Sequence, residues 1–167
     1  MKIEKINLNL DLNLKRKYPF AIYDLSNEID GNIFFSPYQS KKLYKLNLLG
    51  NIEVVPLYVD YCHSIYIKDK KLYASCFRKK NIFIFDLVKL KIIKNIKFKS
   101  FYPISSILLN GELMSIDYLN SKLYKINLNT YKKKDISELL FKHKRPHSIK
   151  NFQNLNCICT RNPSVLI

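Results

Sequence analysis

The sequence predicts an all-β protein assembled from repeated four-stranded antiparallel sheets. Three observations predict it. A unit of about 42 residues recurs, apolar and polar residues alternate within each unit, and short polar turns separate the alternating runs.

The recurrence shows in Tyr18-Pro19-Phe20-Ala21-Ile22, Tyr61-Cys62-His63-Ser64-Ile65, Tyr102-Pro103-Ile104-Ser105-Ser106 and Arg145-Pro146-His147-Ser148-Ile149. Pro19, Cys62, Pro103 and Pro146 stand 43, 41 and 43 residues apart. A second series inside each unit runs GNIFFS at Gly31, KLYAS at Lys71, ELMSI at Glu112 and NLNCI at Asn154. A third, KLYKLNL at Lys42, NIFIFDL at Asn81 and KLYKINL at Lys122, ends each time at Asn47, Asp86 or Asn127. Asn and Asp start turns by bonding their own backbone, so each third strand is expected to stop there.

Taken in chain order, the elements begin with a strand over 3–15. Ile6, Leu8, Leu10, Leu12 and Leu14 alternate there with Asn7, Asn9, Asp11 and Asn13. The units follow at about 18–58, 61–99, 102–141 and 145–167, the last incomplete. In the second unit the four strands are His63 to Lys68, Leu72 to Phe77, Asn81 to Leu87 and Ile92 to Phe98, joined by the turns Asp69-Lys70-Lys71 and Arg78-Lys79-Lys80. Helical spacing is weak and confined to Asp135 to Phe141, where the repeat register asks for a strand. The last unit supplies strands from His147 and Asn154 and stops at Ser164-Val165-Leu166-Ile167. The strand it lacks is the one the N-terminus has to spare.

Four antiparallel strands in roughly 40 to 45 residues make a propeller blade, which cannot bury both faces alone and stacks on its neighbours about an axis. The expected fold is therefore a β-propeller-type array of about four blades. A closed four-bladed ring, an open arc that completes itself by self-association, and an incomplete larger propeller all satisfy the sequence. The register resembles that of the NHL and YVTN-type β-propellers, through Asp30-Gly31-Asn32-Ile33-Phe34-Phe35 in the first unit and Leu72-Tyr73-Ala74-Ser75 with Asn81-Ile82-Phe83-Ile84-Phe85-Asp86 in the second. Small residues, Ala21, Ser64, Ser105 and Ser148, stand where that family has Gly. The resemblance implies a blade architecture and no particular activity.

Composition bounds the function classes. The 167 residues are 47% apolar, which suits a packed domain. The longest apolar runs, such as IFIF at Ile82 to Phe85, fall far short of the ~20 residues that span a bilayer. No secretory leader is visible, so the cytoplasm is the default location. A net charge of +16 points to polyanions, but 25 of the 29 cations are Lys, and Arg is the residue that grips phosphate and guanine with two hydrogen bonds. Lys132, Lys133, Lys134, Lys142, Lys144 and Arg145 form the densest basic run and the candidate interaction surface.

Candidate chemistry is sparse. His63 and His147 occupy one place in units two and four, at the start of the innermost strand, where Phe20 and Ile104 stand in the other two. In lyases and metal-dependent proteins of similar fold, histidines at the channel mouth act as ligands or proton carriers, because imidazole titrates near neutrality and coordinates metals. Two imidazoles fall short of the three protein ligands a metal site needs. His143 and His147 with Cys157 and Cys159 invite a zinc reading, but an H-x3-H pair needs a helix. Cys159 is aligned instead with Cys76, and Cys157 with Ala74, as repeat-equivalent core positions along with Cys62. Asp117 and Asn110 are the acidic and amide residues placed for calcium, and both have turn or rim explanations. Ser64 and Ser148 lack the elbow and partnered acid of a nucleophile.

The resulting expectation is a non-enzymatic binding scaffold with no cofactor, whose partner is a protein or small-molecule ligand. The alternative is a propeller lyase or hydrolase using His63 and His147, favoured if the two lie within about 8 Å and a third polar ligand joins them. A nucleic-acid or acidic-surface binder using the lysine-rich face ranks third.

Overall fold

The computed structural model describes residues 22–26, 28–37, 41–140, 146–152, 155–160 and 165–166. The strand expected over 3–15 and the basic residues Lys142, Lys144 and Arg145 lie outside them.

The described chain forms four antiparallel sheets, each a meander in sequence order. Blade one comprises β1 (Ile22–Leu25), β2 (Asn32–Pro37), β3 (Lys42–Asn47) and β4 (Ile52–Tyr58). Blade two comprises β5 (Cys62–Lys68), β6 (Lys71–Cys76), β7 (Asn81–Asp86) and β8 (Lys91–Lys97). Blade three comprises β9 (Pro103–Leu109), β10 (Glu112–Asp117), β11 (Lys122–Asn127) and β12 (Lys133–Asp135). Blade four contributes β13 (Pro146–Phe152), β14 (Leu155–Thr160) and β15 (Val165–Leu166). No helix among the described residues is long and apolar enough to cross a membrane.

Local chemistry sets the turns. The first hairpin of blades one, two and three turns through Asp30-Gly31, Asp69-Lys70 and Asn110-Gly111, all with positive φ between 49° and 77°. Two consecutive left-handed residues make a turn whose twist matches that of paired strands, which is why Asp-Gly and Asn-Gly recur. The third strands end as the sequence indicates. Asn47 Oδ1 accepts the N–H groups of Leu49 and Asn51 at 3.0 and 2.9 Å, Asp86 Oδ1 those of Val88 and Lys89 at 2.9 Å, and Asn127 Oδ1 those of Asn129 and Thr130 at 2.9 Å.

Alternation assigns each side chain to an inter-sheet gap. Along β7, Phe83 and Phe85 pack toward blade one, with Leu43 and Val55, whereas Ile82 and Ile84 pack toward blade three, with Phe101 and Tyr124. A continuous apolar run thus reads as a strand covered on both faces. A third cluster, around Ile107, Ile116 and Ile149, joins blades three and four.

The innermost strands surround one axis. β1 packs on β5, β5 on β9 and β9 on β13. Side chains tie them in a cycle. Asp24 accepts the Ile65 N–H at 3.2 Å, the Ser64 and Ser105 hydroxyls meet at 3.3 Å, Ser105 Oγ accepts the Ile149 N–H at 3.2 Å, and Lys150 returns to Asp24 at 2.5 Å. Ser75, Ser106 and Ser115 add a buried hydroxyl relay between blades two and three, with contacts of 2.8 and 2.7 Å. Small hydroxylic residues on the inner strands therefore serve as inter-blade links.

Two expectations need correction. The strand asked for over Asp135 to Phe141 stops at Asp135, and Ser137–Leu140 forms a 3-10 turn. Asp135 Oδ1 accepts the Ser137 N–H at 3.0 Å and so ends the strand, while Ile136 and Leu140, four apart, enter the gap toward blade four. The cysteine alignment is off by one. Ser148 pairs with Cys159 as Ser64 pairs with Ser75, so Cys159 corresponds to Ser75 and Cys157 to Tyr73. Cys62 and Cys76 are buried, but Cys157 and Cys159 are only half-buried.

Candidate functional site

Each blade sends its inner strand down from one mouth of the axis, and His63 and His147 stand at that start in β5 and β13. The sheets on which they sit are opposite one another, so the two rings meet across the axis, with centroids 5.4 Å apart and planes at 71°. The distance condition set by the sequence is therefore met. A cavity of about 140 Å³ opens beside them, lined by Asp24, Ser64, Ile104, Ser105 and Lys150 among others.

Burial pulls the His63 imidazole down to about 4, with the neighbouring His147 ring adding to the fall and Asp24 opposing it. His63 is thus a neutral imidazole at pH 7. Asp24 is the polar residue nearest to serving as a third group. Its carboxylate is held by the Lys150 ammonium at 2.5 Å and by the Ile65 N–H at 3.2 Å. Among the described residues no three His, Cys, Asp or Glu side chains gather in a metal-binding arrangement.

The loops around this mouth carry more rings. Tyr118 approaches His147 at 5.8 Å, Phe77 approaches Tyr118 at 5.7 Å, and Tyr102 approaches Phe77 at 5.8 Å. Lys80 Nζ lies 4.7 Å from the Tyr102 ring centre, and Arg78 lies 5.1 Å from that of Tyr61. Sequence reasoning missed Asp24, Lys150 and this arc, because they meet only when loops of different blades are brought together. The one available signal was position: Phe77, Tyr102 and Tyr118 all border strand ends at this mouth.

The other candidates resolve differently. Asp117 is fully buried and accepts the Tyr102 and Asn120 N–H groups at 3.3 Å, which makes it the brace of its loop. Asn110 occupies a hairpin turn. Lys132, Lys133 and Lys134 are exposed, and Lys133 Nζ lies 4.3 Å from the Tyr124 ring centre, above the gap between blades two and three.

No family model matches the chain, and no curated protein matches it. Solved structures do. The computationally designed Ika4 protein matches 100% of this chain over 98% of its own, with a TM-score of 0.66 and 8% identity. Virginiamycin B lyase from Staphylococcus aureus matches 88% of this chain over 54% of its own, with a TM-score of 0.64 and 16% identity. A streptogramin B lyase matches 87% over 53%, with a TM-score of 0.62 and 18% identity. The chain spans about half the length of these lyases. Together with the four meandering sheets about one axis, these likenesses define a propeller-type fold.

Proposed function

We propose that the chain is a binding scaffold of the β-propeller type and that its ligand contact lies at the axial mouth where His63 and His147 meet. The observation that carries this reading is their 5.4 Å contact across the axis, beside a cavity lined by hydroxyls and a neutral imidazole. Two rings from opposite blades add aromatic and polar surface at the one place all blades share, and concave clefts where a few polar groups converge are where small ligands seat. The protein contains three histidines, so a fragment screen can be read directly from the His63 and His147 ring resonances. Fragments that shift both, and lose affinity in His63→Ala and His147→Ala, support the reading. A screen whose hits leave both resonances unmoved overturns it.

A second reading, a lyase, is favoured by the meeting of two imidazoles at the axial mouth and by a fold like that of the two lyases. His63 would take a proton from a substrate carbon while that C–H electron pair forms a double bond and the leaving group departs with its own bonding pair, with Asp24 steadying the imidazolium. Incubation with quinupristin, the compound bound to an inactive virginiamycin B lyase of similar fold, tests it. Turnover that disappears in His63→Ala supports the lyase; quinupristin recovered unchanged removes it.

A further inference from the structure

We propose that this mouth takes a flat heteroaromatic ring carrying an anionic group, with the ring toward the axis and the anion toward blade two. The inference rests on the mouth being the ligand site. Five rings run outward from the axis in continuous contact, His63, His147, Tyr118, Phe77 and Tyr102, with interplanar angles of 71°, 88°, 81° and 47°. All five are half-buried; His63 and His147 line the cavity, and Tyr118, Phe77 and Tyr102 continue the ring contacts beyond it. Phe77 and Tyr102 belong to none of the apolar clusters that fill the inter-sheet gaps, and packing of the sheets does not account for them.

The two ends of the arc differ in chemistry. At the axis, the half-buried Ser148 hydroxyl and the two imidazoles line the cavity and suit ring nitrogens and exocyclic groups, while the buried Ser64 and Ser105 hydroxyls beneath them stay in their inter-blade links. The cavity there is about 140 Å³ and opens toward the arc of rings. At the outer end stand Lys80, against Tyr102, and Arg78, against Tyr61. Two buried carboxylates lie nearby, Asp60, one oxygen of which pairs with Lys79 at 3.1 Å, and Asp117, which braces the Tyr102 loop, and three cations, Arg78, Lys79 and Lys80, stand against them. The outer end is therefore positive and the arc between is aromatic. A ring would stack or lie edge-on over Tyr118 and Phe77, an interaction open to any flat π-system.

Titration of the full chain with AMP, adenosine and ribose 5-phosphate tests this, with His63 and His147 resonances and calorimetry as readouts. AMP is expected to bind and to shift both histidines. Adenosine, which lacks the anion, and ribose 5-phosphate, which lacks the ring, are each expected to bind at least about tenfold more weakly. Lys80→Gln or Arg78→Gln should lower AMP affinity toward that of adenosine and leave adenosine binding and the unfolding midpoint unchanged. Tyr118→Leu should weaken AMP and adenosine alike. Equal affinity for AMP and ribose 5-phosphate, or AMP binding indifferent to both cation variants, overturns the proposal. If the fragment screen finds ligands at His63 and His147 while AMP fails to bind, the ligand class falls and the mouth stands. If neither moves those resonances, both fall.

Discussion

Replacing His63 with Phe should remove a specific pH dependence of stability. The folded imidazole is pulled from its ordinary 6.5 to about 4, chiefly by burial and next by the neighbouring His147 ring. Between those two values the unfolded chain binds a proton on His63 that the folded chain refuses. Acidification through that window therefore favours unfolding, and above pH 6.5 the residue contributes no slope. At ~1.36 kcal/mol per pH unit, the displacement amounts to about 3 kcal/mol lost between pH 7 and pH 4. Urea unfolding can be followed by tyrosine emission, since the chain has 12 Tyr and no Trp. Wild type should lose about 3 kcal/mol more than His63→Phe over that range. Parallel pH profiles for the two proteins would refute the burial of a neutral imidazole at the axis.

Phe101 is fully buried and meets Phe98 and Tyr124 edge-on at 4.5 and 5.3 Å. Phe101→Ala should cost about 3–5 kcal/mol by urea unfolding, and a loss under about 1 kcal/mol contradicts a packed gap between blades two and three. Ser106→Ala takes a shared partner from the buried hydroxyls of Ser75 and Ser115 and should cost about 1–3 kcal/mol. Replacing all three with Ala should cost less than three separate losses; strict additivity rules out the relay. Hydrogen bonds from Lys122 and then Ser137 hold the Asp135 carboxyl at about 2. In Lys122→Met its carbon resonance should titrate closer to 3.8, and an unchanged midpoint rules out the pair as the cause.

Strand positions and turn ends were legible because they are local. In blade two the observed strands differ from those read in the sequence by one residue at most of their ends, and Asn47, Asp86 and Asn127 end strands through the self-bonding their side chains favour. What escaped the sequence is mostly non-local. The start of β14 shifts the register of Cys157 and Cys159 by one, which moves each to the other face. Asp24 and Lys150 are 126 residues apart and meet because β1 and β13 flank the same axis. Ser137 looked like a strand residue until Asp135 captured its N–H. The histidine pair was legible in position, as equivalent places in two repeats, but its contact depended on those blades standing opposite one another.

That opposition is the central claim, and one distance tests it. Residues 63 and 147 lie far apart in sequence, and their ring centroids are 5.4 Å apart only if β5 and β13 face each other across a shared axis. A nuclear Overhauser measurement between the His63 and His147 ring protons reports that separation directly. Four inner strands about one centre predict a cross-peak, accompanied by one from His147 to the Tyr118 ring at 5.8 Å. Well-resolved histidine signals with neither cross-peak would mean that the sheets do not converge, and the site at the mouth would go with them.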